Sequence, residues 1–339
     1  MSPEVSILMA AYNAESLVGR AIESTLNQTF TDFEFIICED ASPDKTKEVI
    51  ESYTDPRIQI LYNEINLGYL ETFNKLLEHA KGDYIAFVDA DDWVDHRKIE
   101  LQLKAFDENP NLGLCGSRFA AVDIDSNIKS VSTPPYTNAE IQKFVSNTVI
   151  DSFSAGSSVM ITQDVLQNIG GYRLYFKGCA GEDMDWMRRI VEQYECMNLP
   201  EVLYYYRFHA DSLTKVVHEE IRKRHIFEII DFLSHQRHIH GKDSLETGDY
   251  RELNTFIDEL SLPYQQDPST LYRKMGFEYA LNNQYPKAIK LMLKALILRP
   301  FKIKNYKALL LTTLVLILPM NVLVLLKNKF AKSHISREL

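Results

Sequence analysis

Apolar positions in the first ninety residues come in short runs separated by polar stretches with helical spacing. Val5-Ser6-Ile7-Leu8-Met9, Phe33-Glu34-Phe35-Ile36-Ile37-Cys38, Ile58-Gln59-Ile60-Leu61 and Tyr84-Ile85-Ala86-Phe87-Val88 have the length and composition of strands, the last of them buried. Between them, Leu17, Ala21, Ile22 and Leu26 recur at helical spacing. Helices are predicted over 17–27, 45–52 and 69–80, the second after a capping stretch at Asp40-Ala41-Ser42-Pro43. Three strand–helix units followed by a strand predict an α/β fold: a mostly parallel sheet with helices on both faces. Ligands of such sheets sit at the carboxyl ends of the strands. Polar clusters fall at those four ends: Tyr12-Asn13, Glu39-Asp40, Asn63 to Gly68, and Asp89 to Asp92.

From about 100 to 215 the pattern is less regular. Further strands are expected at 112–116 and 157–161, a tight turn at Gly170-Gly171-Tyr172, and a helix over 182–193. The acidic first turn of that helix suits the macrodipole. A tyrosine-rich strand, Tyr204 to Tyr206, follows, and beyond His218 the chain reads as helical, with a hairpin of helices over 272–282 and 285–298. Ala308 to Leu326 holds nineteen residues without a formal charge, between Lys302, Lys304 and Lys307 on one side and Lys327, Lys329 and Lys332 on the other. A spanning helix needs about 20 apolar residues, and Pro319 and Asn321 interrupt this run. An in-plane or re-entrant contact with an anionic membrane surface is expected ahead of a full span. A buried C-terminal helix is the competing reading.

The 339 residues, 45% of them hydrophobic, suffice for one large α/β domain and a smaller helical part. The net charge of −10 gives no global basic field, so no nucleic-acid partner is expected. Cys38, Cys115, Cys179 and Cys196 form no Cys-x-x-Cys pair, which argues against a zinc site or a disulfide framework and for a reducing cytosol. Val5 to Ala11 is too short for a signal peptide and is broken by Tyr12-Asn13.

The most informative segment is Asp89-Ala90-Asp91-Asp92. Three carboxylates at the end of a buried strand repel one another and resist desolvation. A hard divalent cation compensates them, and Mg²⁺ is usually held by one or two carboxylates plus substrate phosphates. The motif therefore points to a metal-held diphosphate. A solvated acidic turn, with Asp91 or Asp92 capping the next helix, is the alternative.

Taken together, VSILMAAYN, EFIICEDASPDKT and NLGYLETFNKLLEHAKGDYIAFVDADD, followed by GGY and GEDMDWMRRIVEQYECMNLPEVLYYYRFHADSLTK, resemble family-2 inverting glycosyltransferases with the GT-A fold. The resemblance covers about 4–215 and implies a catalytic domain over 1–215. Its nucleotide-sugar half would span about 1–110 and its acceptor half about 111–215. A helical extension (216–300) and a basic, apolar membrane-associating segment (301–339) would follow. The resemblance implies that Ala11, Tyr12 and Asn13 hold the nucleotide base, with Tyr12 stacking on uracil, and that Asp40 accepts from the base. A cap of the next helix is the bland role for Asp40. Asn66 and Gly68 would approach the nucleotide. Where many members carry an arginine shortly before Asn74, this chain has Phe73. Asp89 and Asp91, around Ala90, match the Asp-x-Asp motif, with Asp89 facing the ribose and Asp91 binding Mn²⁺ or Mg²⁺. Asp92 would bind through water or cap a helix.

Asp183 matches the general base that deprotonates the acceptor hydroxyl, with Glu182 as runner-up. Two acids complementing a helix dipole are the alternative. Arg189 matches a donor-side arginine, though a surface ion pair with Asp185 at i,i+4 competes. Arg207, His209 and Ser212 would close over the diphosphate, His209 near the metal; a solvated loop is as plausible. The implied activity is metal-dependent transfer of one sugar from a nucleoside-diphosphate sugar, UDP-sugar above others, to a glycan or lipid-linked acceptor. Surface polysaccharide or lipopolysaccharide assembly at the cytoplasmic face of the membrane would fit. Three rivals are a sugar-1-phosphate nucleotidyltransferase, a processive synthase and an inactive sugar-nucleotide-binding scaffold. The first would need a glycine-rich loop where Ala10 to Glu15 has none, and the second a Gln-x-x-Arg-Trp motif that is absent.

Overall fold

In the computed structural model, which describes residues 3–147, 153–179, 181–208 and 219–317, the four apolar runs become strands. The first half reads β1 (Val5–Ala11), α1 (Val18–Leu26), β2 (Phe33–Glu39), α2 (Thr46–Glu51), β3 (Ile58–Tyr62), α3 (Tyr69–His79) and β4 (Tyr84–Phe87). The second reads β5 (Trp93–Val94), α4 (Lys98–Glu108), β6 (Leu112–Val122), β7 (Ile128–Val131), α5 (Asn138–Asn147), β8 (Met160–Thr162), α6 (Gln163–Ile169), α7 (Glu182–Val191) and β9 (Glu195–Arg207). The sheet order is β3-β2-β1-β4-β8-β6-β9-β5, with β7 paired to β6. Strands β1 to β4 are mutually parallel, as expected; β8 enters antiparallel between β4 and β6.

Register sets the site. Ala11 lies opposite Glu39, and Glu39 opposite Tyr62, so the carboxyl ends of β1, β2 and β3 are level. Leu8, Met9, Phe35, Ile36 and Ile37 are buried on both faces of the sheet, each contributing about 1.5–3 kcal/mol of burial. On one face, α1 adds Val18, Ala21 and Ile22 to the core.

Two local expectations change. The strand expected over 157–161 is a 3-10 turn, Gly156–Ser158, followed by β8. No acid of the Asp89–Asp92 cluster caps a helix: β5 follows it, and α4 begins only at Lys98.

The chain divides into two units, Met1–Ala210 and Asp211–Leu339. The second is helical: α8 (Ile221–Arg224), α9 (Ile226–His240), α10 (Ser244–Thr247), α11 (Arg251–Gln266), α12 (Ser269–Leu281), α13 (Tyr285–Leu298) and α14 (Ile303–Ile317). The last three pack on one another around Phe277, Ala280, Ala288, Met292, Ala308 and Val315. Asn305 pins α14 to the end of α13 by donating to the Ala295 and Arg299 carbonyls, both at 2.8 Å. The uncharged run beginning at Ala308 is thus, in its described part, a helix packed along one face; residues 318–326 lie outside the described residues. Among the described residues no helix is long and apolar enough to cross a membrane.

Candidate active site

The loops after β1 and β2 are zipped together. The Asn13 amide donates to Ser42 Oγ (3.1 Å), Ala14 N to Thr46 Oγ1 (2.7 Å) and Glu15 N to Asp44 Oδ2 (3.0 Å). Asn13 adopts a positive φ of 51° to make the turn, and Ala11 is buried just before it. Tyr12 is left 48% exposed at the strand ends, a ring face open for stacking. The Asp40–Pro43 stretch does not cap α2: its N-cap is Lys45, without a side-chain bond, and just before it Asp44 accepts from Thr46 N at 3.1 Å. Asp40 instead is buried and organises the next loop. It accepts from Asn63 Nδ2 (2.6 Å), Leu67 N (2.9 Å) and Gly68 N (3.0 Å). Gly68 opens α3 at φ 84°, and Asn66 beside it is exposed.

At the end of β4, Asp89 and Asp91 are partly buried and Ala90 between them is buried. Asp89 accepts from Ser157 Oγ, from Tyr204 OH (3.3 Å) and from Tyr69 OH (3.4 Å). Burial, then the Asp91 charge, pushes its pKa up. Asp92 is buried and neither faces water nor caps a helix: it accepts from Tyr204 OH (2.7 Å) and Arg207 N (2.6 Å). Burial and the two neighbouring aspartates hold its carboxyl well above the usual range. Arg207 is buried at the end of β9; its Nε donates to the Asp91 carbonyl (2.9 Å) and its guanidinium lies 4.9 Å from the centre of the Trp93 ring. Arg207 and Asp92 therefore brace the turn that presents Asp91. His209 and Ser212 lie outside the described residues.

Helix α7 starts at Glu182. Asp183 accepts from Met184 N (2.8 Å) and Glu182 from Gly181 N (3.0 Å). Burial raises the Asp183 pKa; burial and then Asp183 push Glu182 to about 7. Tyr69, whose hydroxyl donates to Asp89, lies beside Tyr172, with ring centroids 6.3 Å apart. Burial first, then Asp89 together with Asp183 and Glu182, holds both tyrosines far above their ordinary pKa.

Asp185 and Arg189 form a buried pair (3.1 Å), not the surface pair that spacing allows. Arg173 joins Asp185 as well. Arg189 also donates to the Ile169 (2.6 Å) and Gly171 (2.7 Å) carbonyls. These bonds make Arg189 a clamp on the Gly170–Gly171 turn. A Cβ on Gly171 would meet Asn74 Oδ1 at 2.4 Å. Asn74 in turn holds Tyr172, receiving its N–H and donating to its carbonyl, both at 2.8 Å. Phe73 stacks on Tyr172 (centroids 4.4 Å) and packs against Phe87 and Trp186. An arginine here would lose that cluster, so its replacement by Phe73 is a packing choice.

Asp89 and Asp91 fit a divalent cation. Burial and the neighbouring Asp91 disfavour charge on Asp89, whose carboxylate accepts from the Ser157, Tyr204 and Tyr69 hydroxyls among the described residues. No cluster of three or more His, Cys, Asp or Glu that could hold a metal occurs among the described residues. Sequence reasoning missed Ser157, Tyr69, Tyr172 and Tyr204 as site residues. For Tyr204 the signal was its place in the tyrosine-rich strand leading to Arg207; Ser157 had none.

This architecture, a mixed α/β sheet with acids at its strand ends, is that of the GT-A glycosyltransferases. The S. aureus protein TarS in complex with UDP-GlcNAc superposes with a TM-score of 0.58 at 17% identity, over 70% of this chain and 67% of that one. The mannosyltransferase PcManGT from Pyrobaculum calidifontis, in complex with GDP-Man and Mn²⁺, superposes with a TM-score of 0.52 at 15% identity, over 98% and 89%. Residues 6–170 match the family model "Glycosyl transferase family 2". The chain is 32% identical over 236 residues to the Escherichia coli UDP-Glc:alpha-D-GlcNAc-diphosphoundecaprenol beta-1,3-glucosyltransferase WfaP, covering 69% of this chain and 89% of the relative. The chain belongs to glycosyl transferase family 2 and is a glycosyltransferase.

Proposed function

We propose that this glycosyltransferase moves one hexosyl or N-acetylhexosaminyl unit from a UDP-sugar to a hydroxyl of a glycan or lipid-linked acceptor, with inversion. One observation carries the reading. The 3-10 turn Gly156–Ser158 touches both acidic groups: Ser157 donates to Asp89, and a Cβ on Gly156 would sit 3.0 Å from Asp183 Oδ2. An acid group for the leaving diphosphate and one for the acceptor therefore lie against one short turn.

The nucleotide base lies against Tyr12 and Asn13, beside the loop that Asp40 organises, with Asn66 and Gly68 at its edge. Asp89 meets the ribose. Asp89 and Asp91 hold Mn²⁺ or Mg²⁺, which when bound offsets the charge that grows on the diphosphate. Asp183 takes the proton of the acceptor hydroxyl. The acceptor oxygen bonds to the anomeric carbon as the carbon–oxygen bond to the diphosphate breaks, and that electron pair stays on the diphosphate. Attack opposite the leaving group inverts the centre. Glu182, uncharged below about pH 7, keeps a second negative charge away from the base.

The name of WfaP specifies a diphosphoundecaprenol-linked acceptor. By that likeness the acceptor here is an isoprenoid-diphosphate glycan in surface polysaccharide or lipopolysaccharide assembly, met at the cytoplasmic face of a membrane. The test is diphosphate release from a panel of UDP-, GDP- and dTDP-sugars with a short lipid-diphosphate saccharide, with Mn²⁺ and with chelator. UDP-sugar turnover that needs the ion, and a product of inverted anomeric configuration by NMR, are expected. Nucleotide exchange with pyrophosphate would instead indicate a nucleotidyltransferase, and donor binding without turnover a scaffold.

A further inference from the structure

We propose that the outer faces of α13 and α14 dock on an anionic lipid bilayer. The two helices are apolar on both sides, and only one side is used internally. Ala288, Met292 and Ala295 of α13 and Asn305, Ala308, Thr312 and Val315 of α14 are buried. Opposite them Leu293 and Ile297 stand out from α13, Ile303, Leu310 and Leu314 from α14, and Phe301 from the turn between. Ile297 is 80% and Phe301 97% exposed. On each helix the spacing, four on α13 and seven then four on α14, puts these side chains on one stripe. Six large apolar side chains exposed on two packed helices and the turn joining them are more than scattered surface residues and mark a contact site.

Charge selects the occupant. In a chain of net charge −10, residues 279–317 contain no Asp or Glu. They carry Lys287, Lys290, Lys294, Arg299, Lys302, Lys304 and Lys307; Lys302 also reaches Asp267 at 3.5 Å. A second copy would oppose this basic face with another, which like charges disfavour. Anionic headgroups over hydrocarbon match both the lysine fringe and the apolar stripe. In its described part α14 packs along one side, through Ala308 and Val315, and exposes Ile303, Leu310 and Leu314 on the other, so it would meet the surface side-on. In sequence, the uncharged run continues to Leu326 and ends on Lys327, Lys329 and Lys332. The surface stands on its own residues; only its use, holding the enzyme where a lipid-linked acceptor lies, rests on the proposed transfer.

The test is co-sedimentation of the full chain with vesicles of equal parts phosphatidylglycerol and phosphatidylcholine, and with phosphatidylcholine alone, at low and high salt. Binding to the mixed vesicles, weakened by salt, is expected. An Ile297→Asp/Phe301→Asp variant should bind about tenfold or more weakly, because each large side chain withdrawn from hydrocarbon loses about one power of ten in partition. Lys290→Glu/Lys307→Glu should bind more weakly and lose salt sensitivity. Both variants should keep the parent's melting curve and its diphosphate release with a short soluble acceptor. The proposal is overturned if the parent ignores the anionic vesicles, if the variants bind as the parent does, or if the apolar variant turns a dimer into a monomer in sedimentation equilibrium. Absence of diphosphate release from parent and variants alike would sink the transfer reading and leave the vesicle result standing.

Discussion

Gly156 lies against the Asp183 carboxylate: a Cβ built on it would sit 3.0 Å from Oδ2 and 3.3 Å from the Asp183 Cβ. The next residue, Ser157, donates to Asp89. One 3-10 turn thus touches both Asp89 and Asp183, the acids proposed for the diphosphate side and for the base. Gly156→Ala should force Asp183 aside by a few tenths of an ångström. Because in-line attack depends on the base position, kcat should fall about tenfold or more while UDP affinity, read by calorimetry, stays within about twofold. Unchanged kcat would show that the turn yields freely and that the contact does not set the base.

Asp183→Asn should retain UDP binding and lose about 10²–10⁴-fold in kcat, the usual contribution of a general base. Glu182→Gln should keep most of its turnover. If Glu182→Gln is the dead variant and Asp183→Asn the live one, the base assignment is reversed.

Glu182 also sets a pH dependence of stability. Its folded pKa, about 7, is raised above the ordinary 4.5 by burial and by Asp183. Its stabilising contribution is therefore present below about pH 4.5 and lost as pH rises through about 7. Glu182→Gln should gain about 1–2 kcal/mol over the parent at pH 8 and close to nothing at pH 5. Urea unfolding at the two pH values measures this, and an equal effect at both would contradict it.

The metal assignment is tested at Asp91. Asp91→Asn should abolish the Mn²⁺-dependent part of UDP affinity while leaving the melting curve intact, since Asp91 is only partly buried at a strand end. Equal affinity for variant and parent in Mn²⁺ would remove Asp91 from the metal site.

What the sequence made legible follows from range. Strands β1 to β4 announced themselves because each is a local apolar run. Asp89, Asp91 and Asp183 were singled out because their pattern and order match a family, and the structure sets Asp89 and Asp183 against one 3-10 turn. Asp92 was read as a helix cap or water-mediated ligand because only neighbours in sequence were visible. Its partners, Tyr204 and Arg207, come from β9, 112 and 115 residues away. Arg189 and Asp185 looked like a surface pair for the same reason, since spacing shows their meeting but not their burial. Ser157 is an ordinary serine until a 3-10 turn aims it. The exposed stripe of α13 was hidden differently: apolar residues four apart look the same facing a core or facing out.

Lys98 offers a test outside the site. It is the first residue of α4, buried, in a small cavity lined by Ile7, Thr25, Gln28, Phe87, Val88, Val94 and Ile99. Burial lowers its pKa from 10.5 to about 7, against a smaller opposing pull from Cys115. The folded state thus gives up the proton near pH 7, whereas the unfolded chain keeps it to about pH 10.5. Stability linked to this group is fully present above about pH 10.5, and is lost as pH falls through about 7. A methionine preserves the straight chain and removes the charge. Lys98→Met should therefore stabilise the fold by about 2–4 kcal/mol at pH 6, where the parent must bury an ammonium or expel it. The gain should shrink by pH 9. Urea midpoints at both pH values check the sign. A variant less stable than the parent at pH 6 would mean that the ammonium is held by a favourable partner, and that burial is not what governs it.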